Sequence, residues 1–199
     1  GKVCVITGAG GGMGREAAIV FTGEGAKVCA ADLVTAAAEG TVGMCPRGSA
    51  FAFAVDVADE EQVKAMMAAT AERFGGIDVL YNNAGISPDD DASILDTSVE
   101  AWQRGQDVNT KGVFLCCKHG IPHLLERGGG SVINVASFVA LLGSATSQIS
   151  YTASKGAVLA MSRELAVQFA QQGIRVNALC PGPVETPLLL GIYGSDPAA

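Results

Sequence analysis

Between an apolar run, Val3–Thr7, and a helix-forming segment, Gly14–Glu24, the chain places Gly8-Ala9-Gly10-Gly11-Gly12-Met13-Gly14. A strand that must turn into a helix through so many glycines has few architectures open to it. Glycines let a backbone approach a bound pyrophosphate, and a helix N-terminus offers it free N–H groups and a positive dipole. Two spacings coexist: Gly8, Gly12 and Gly14 give G-x-x-x-G-x-G, while Gly8, Gly11 and Gly14 give G-x-x-G-x-x-G. Either can serve a dinucleotide, and a ligand-free glycine turn is the plain alternative.

The same alternation continues along the chain. Lys27–Ala31, Ala50–Val55, Ile77–Tyr81, Ser131–Ala136 and Ile174–Leu179 read as further strands. Glu60–Phe74 reads as an amphipathic helix with Val63, Met66, Met67 and Phe74 on one face. Val99–Leu125 reads as one long helix, and Ser150–Gln172 as another, closed by Gly173. The expected class is α/β: a Rossmann-type, doubly wound parallel sheet with helices on both faces, in one domain over residues 1–199. In such sheets ligands bind beyond the carboxyl ends of the strands. Here those ends run into loops of Gly, Asn, Asp, Ser and Pro.

Asp32 closes the second strand, eighteen residues after Gly14. A carboxylate there can accept from adenosine ribose hydroxyls and repels a 2′-phosphate, which favours NAD over NADP. No Arg or Lys stands at Gly10, Gly11 or Gly12 to hold such a phosphate, and Arg15, one step into the helix, is expected to point elsewhere. A strand-end turn is the structural alternative for Asp32. Asp56 and Val57 follow the third strand; they flank an adenine or, for Asp56, simply cap the next helix.

Tyr151 and Lys155 are spaced i, i+4 and share a helix face. A free tyrosine titrates near ~10, too high for a base at neutral pH, and a nearby ammonium lowers that value. Such a tyrosine can pass a proton while a cofactor passes a hydride. Alone, the pair is equally a surface contact.

Taken together, Thr7-Gly8-x-x-x-Gly12-x-Gly14, Asp56, Asn82-Asn83-Ala84-Gly85, Asn109, Ser137, Tyr151-x-x-x-Lys155, Asn177 and Pro181-Gly182 resemble the short-chain dehydrogenase/reductase family, single-domain branch. The resemblance selects G-x-x-x-G-x-G. It implies that Tyr151 is the general acid/base, and that Lys155 holds the nicotinamide ribose and lowers the Tyr151 pKa. It implies that Ser137 binds the substrate oxygen and that Asn109 anchors a water linking Lys155 to solvent. The glycine turn with Met13 would hold the cofactor, Asn83, Ala84 and Gly85 would line its adenosine side, and Pro181, Gly182, Val184 and Thr186 its nicotinamide end. The implied cofactor is NAD, and the implied assembly is a homo-oligomer, a tetramer or dimer.

The sequence departs from the family pattern in two places. Ser137 and Tyr151 lie one residue further apart than the commonest family spacing, which puts an extra residue near Gly143–Ser147 and makes Ser144 a weaker candidate for the serine. The chain also stops at Ala199, where family members continue with a helix and a last strand, so the sequence reads as partial.

Ile86–Ala92, Phe138–Gln148 and Val184–Tyr193 are expected to form the substrate pocket. Phe138, Val139, Leu141, Leu142, Leu188, Leu189, Leu190 and Ile192 favour an apolar alcohol or ketone, or else pack in the core or a subunit contact. Asp89-Asp90-Asp91 reads as a solvated loop, and Trp102 as helix packing.

A net charge of −7 argues against nucleic acid, and no run is long and apolar enough to span a membrane. Six cysteines without a C-x-x-C pair suit a reduced cytoplasmic protein. The start at Gly1, without Met, is compatible with a removed leader. His119 and His123 are a helical pair with no third ligand, so no metal is expected. Two rivals stand beside the NAD(H)-dependent secondary alcohol/ketone oxidoreductase: an NADPH-dependent 3-oxoacyl-thioester reductase, and a non-catalytic NAD-sensing binding protein.

Overall fold

The computed structural model describes residues 1–193, with side chains through Leu190. Six strands form one parallel sheet: β1 (Val3–Thr7), β2 (Lys27–Asp32), β3 (Ala50–Ala54), β4 (Val79–Asn82), β5 (Gly130–Val135) and β6 (Ile174–Leu179). Their order across the sheet is β3-β2-β1-β4-β5-β6. The chain leaves β1 toward one edge and returns beside it as β4, so the crevice between the β1 and β4 ends lies where the strand order reverses.

Helices cover both faces. α1 (Gly12–Gly23) and α2 (Thr35–Met44) lie on one; α3 (Glu60–Phe74), α4 (Val99–Gly105), α5 (Gly112–Glu126) and α6 (Ile149–Phe169) pack on the other, and α7 (Pro187–Tyr193) follows β6. Every β1 side chain up to Thr7 is buried, as a central parallel strand requires. Val63, Met66 and Met67 of α3 are wholly buried against Val5, Leu80 and Leu124, each contributing about 1.5–3 kcal/mol. Gly120 lets α5 lie close on the sheet: a Cβ there would come within 2.5 Å of Leu80 Cδ1.

The structure refines the sequence reading at four points. Val99–Leu125 is helical throughout, as expected, but not uniformly α: a π-helical segment, Gln106–Lys111, lies between α4 and α5. Asn109 lies inside it, and its side chain bonds Ile86 and Ser154 across the fold, a demand that periodicity cannot register. Second, α2 carries no apolar stripe and two glycines, Gly40 and Gly43, yet it forms; Thr41 ties it to the glycine turn by donating to the Ala9 carbonyl at 2.7 Å. Third, the cap of α3 is Asp59, whose side chain accepts from Gln62 N–H, and not Asp56. Fourth, Pro187–Tyr193, within the segment expected to form the pocket, is helical.

Candidate active site

The glycine turn is shaped by close approaches. Gly8 and Gly12 have φ of +63° and +50°. A Cβ on Gly14 would sit 2.2 Å from the Gly8 carbonyl oxygen, so only glycine lets α1 start this close to β1. Asn83 braces the turn from β4: its Nδ2 donates to the carbonyls of Thr7 (3.0 Å) and Gly8 (3.2 Å), while Thr7 Oγ1 accepts from the Asn83 and Ala84 amides.

Asp32 reaches back to this turn. One carboxylate oxygen accepts from Gly10 N–H at 2.8 Å and the other from Val34 N–H at 3.0 Å. Arg15 turns to Thr41 Oγ1 and the Gly10 carbonyl. Asp56 accepts from Ala58 N–H, and Val57 is buried under Gly112; neither lines the main cleft.

That cleft runs from Met13, Asn83 and Gly85 past Val135–Val139, Gln148, Tyr151 and Lys155 to Pro181–Val184, Thr186, Leu188 and Leu189. Ser137 follows β5, whereas Tyr151 and Lys155 sit on the first turns of α6. Ser144 lies outside the lining, so the added length of the loop does not displace Ser137. Leu141 and Leu142 point into solvent, Ile86–Ala92 braces the cleft without lining it, and Ile192 lies outside the described side chains. Trp102 is half-exposed on α4, away from the cleft.

Lys155 is buried, and its Nζ donates to the Val135 carbonyl at 2.9 Å, 5.5 Å from the centre of the Tyr151 ring. Burial brings its pKa down from 10.5 to about 8. The resemblance implied that Lys155 lowers the Tyr151 pKa. In the chain alone burial prevails: the Tyr151 phenol is held above its usual value, and the Ser137 side chain pulls it back.

Gly85 admits this crowding, since a Cβ there would lie 3.2 Å from Lys155 Nζ and 3.3 Å from Asn109 Oδ1. The Asn109 amide serves protein partners: Oδ1 accepts from Ile86 N–H, and Nδ2 donates to the Ile86 carbonyl and Ser154 Oγ. Ser154 in turn donates to the Tyr151 carbonyl at 2.7 Å.

Sequence reasoning missed Asp91. It is no solvated loop residue: its carboxylate accepts from the N–H groups of Ser150 (3.0 Å) and Tyr151 (2.8 Å), capping α6 from a loop 60 positions away in sequence. No local pattern could have revealed it. Asp91→Ala is expected to lower stability by about 0.5–2 kcal/mol, the usual worth of a cap, and to slow turnover. Asp91→Asn, which keeps one of the two acceptor oxygens, should recover part of both. Thermal unfolding and steady-state rates on the two variants check this, and equal losses in both would reject a capping role.

Elsewhere, His119 Nε2 lies 2.9 Å from Glu60 Oε1 and His123 sits beside Glu126; among the described residues no group of three or more His, Cys, Asp or Glu is placed to hold a metal. Among the same residues no helix is long and apolar enough to cross a membrane.

Residues 2–193 match the family model described as short chain dehydrogenase. The chain is a member of the short-chain dehydrogenase/reductase family. It shares 44% identity over 195 residues with the 2-(R)-hydroxypropyl-CoM dehydrogenase of Xanthobacter autotrophicus, covering 94% of this chain and 76% of that one. It shares 42% over 190 residues with the meso-2,3-butanediol dehydrogenase of Serratia marcescens, covering 96% and 74%. The crystal structure of a 3-ketoacyl-(acyl-carrier-protein) reductase from Brucella melitensis complexed with NADH superposes with a TM-score of 0.91 at 38% identity, over 95% of this chain and 78% of that one. This short-chain dehydrogenase is therefore an oxidoreductase of a family that binds a nicotinamide cofactor.

Proposed function

We propose that the protein is an NAD(H)-dependent oxidoreductase that interconverts a secondary alcohol and a ketone, with Tyr151 as general acid/base. The observation that carries this reading is that one cleft gathers Ser137, Tyr151 and Lys155 with Met13 of the glycine turn and with Asn83, which braces that turn. The residues fit a dinucleotide. The turn at the start of α1 is open at Gly11, where a Cβ would meet nothing within 4 Å, and Asp32 stands at its flank with lone pairs to offer a ribose. A bound nicotinamide would supply or take up the hydride.

The protein's own groups do the rest. Tyr151, protonated at neutral pH, gives its proton to the oxygen formed on reduction and takes one back on oxidation. Ser137 donates to the same oxygen. Lys155, gaining ribose hydroxyls as partners, keeps its charge and favours the phenolate. Asn109 and Gly85 hold the floor of the site in place. The apolar walls keep water from the reacting carbon. The enzyme works as a dimer or tetramer in the cytoplasm, a compartment suited to its six free thiols.

A screen of secondary alcohols and ketones with each cofactor tests the reading. NADH is expected to be preferred over NADPH, and Asp32→Ala to cut kcat/KM with NADH by about ten-fold, from a lost charge-assisted pair of hydrogen bonds, while narrowing the preference. A strong NADPH preference in the parent would overturn the assignment of NAD. Similarity to the Brucella reductase supports a second reading, reduction of 3-oxoacyl thioesters, which an acetoacetyl thioester in the same screen addresses.

A further inference from the structure

Among the described residues, six polar side chains line the cleft: Asn83, Ser137, Gln148, Tyr151, Lys155 and Thr186. Five have evident work. Asn83 is held by the Thr7 and Gly8 carbonyls and Lys155 by Val135. Thr186 lies over the glycine turn, its Cγ2 3.3 Å from where a Gly12 Cβ would be, and its Oγ1 accepts from Leu189 N–H. Ser137 and Tyr151 face the reacting oxygen in the function proposed above.

Gln148 is left over. It occupies the N-cap position of α6, where a polar side chain ordinarily turns inward to the first free N–H groups. It makes no such bond, because Asp91 already takes the N–H groups of Ser150 and Tyr151 from another loop. The Gln148 amide has no partner among the described residues and borders a cleft whose other walls include Phe138, Val139, Leu188 and Leu189. An amide both donates and accepts and carries no charge, so its natural partner is a neutral hydroxyl or carbonyl. Lys155 is the one cationic side chain in the described lining, and it is engaged. A substrate with a carboxylate, sulfonate or phosphate near the reacting carbon finds no counter-charge here.

We propose that Gln148 is a specificity-determining residue that hydrogen-bonds a second, uncharged oxygen of the substrate, making the preferred class diols, hydroxyketones and diketones with apolar bodies. Gln148 stands at the N-cap of α6, three residues before Tyr151, and lines the same cleft, so the second oxygen belongs near the reacting one. A polar group awaiting a partner rejects a substrate that lacks it more strongly than an apolar wall rejects an extra methyl. This inference rests on the oxidoreductase reading.

The test compares butane-2,3-diol with butan-2-ol, each with NAD⁺, in the parent and in Gln148→Leu. The parent is expected to favour the diol in kcat/KM by about ten-fold or more, the worth of one satisfied hydrogen bond. Gln148→Leu should collapse that ratio toward one, chiefly through a higher KM for the diol. Retained NADH binding, read by fluorescence, certifies the fold, and Gln148→Met makes the same comparison if the leucine variant does not fold. A ratio unmoved by both variants, or a parent that prefers butan-2-ol, overturns the role of Gln148 and leaves the oxidoreductase reading standing. A parent that oxidises neither substrate and no other alcohol in the screen removes that reading, and this inference with it.

Discussion

Tyr151→Phe is expected to bind NADH within about two-fold of the parent and to turn over about a thousand-fold more slowly, the middle of the range for losing a general acid/base. The substitution removes one oxygen from a side chain that otherwise packs unchanged, so binding of the cofactor and the fold are spared. The pH dependence makes the result specific. Burial holds the phenol above its usual value. In the parent, alcohol oxidation should therefore climb as pH rises and the proton leaves, while ketone reduction should be favoured at lower pH. The residual activity of the phenylalanine variant should lose that slope. Steady-state rates in both directions across pH decide it. A variant within ten-fold of the parent, or one with the parent's pH slope, would falsify the assignment of Tyr151.

Lys155→Met is expected to abolish turnover and yet to raise the unfolding temperature of the cofactor-free protein. The ammonium is buried, and its pKa falls from 10.5 to about 8. Holding the charge in the fold costs on the order of 3 kcal/mol below pH 8. Methionine removes that cost but leaves the Val135 carbonyl without its donor, an offset of about 1–2 kcal/mol. A net gain of about 1–2 kcal/mol corresponds to about 2–8 °C for a chain of this size. The sign with pH follows from linkage. Between the folded and unfolded pKa values the unfolded chain binds more protons, so the parent gains stability as pH rises from about 8 toward 10.5. The gap in favour of the variant should be full at pH 7 and reversed by about 1 kcal/mol at pH 10.5, where the charge cost has gone and the unpaired Val135 carbonyl remains. Calorimetry at the two pH values reads this. A variant that melts below the parent at pH 7, or a gap indifferent to pH, would show that the lysine charge is not the destabilising element.

These two residues also show how far the sequence could be read. Tyr151 and Lys155 were legible as a pair, because a helix fixes i and i+4 on one face wherever it lies. Which face looks into the cleft was not, and neither was the balance of forces on them. An ammonium one turn away argues for a lowered phenol, whereas the fold buries the phenol and gives the ammonium to Val135. Asn109 stood in its family place, yet it lies in a π segment and bonds Ile86 and Ser154, which come from two other parts of the chain. Helix α2 was missed because its hold on the fold is partly polar, through Thr41, where hydrophobic period is silent.

By itself the sequence determined the parallel sheet, the glycine turn at the first crossover, the acidic residue at the end of β2 and the Tyr–Lys helix face. Each of these is written in local pattern: strand length, glycine spacing and helical period act between near neighbours. Tertiary structure alone decided what meets across the chain. It set Asp91 on the backbone of Tyr151, and Ser137, not Ser144, at the cleft. It also left the Gln148 amide without a partner among the described residues. Those outcomes depend on loop closure and burial between segments many residues apart, where a hydrogen bond or a desolvated charge has no signature in the order of residues.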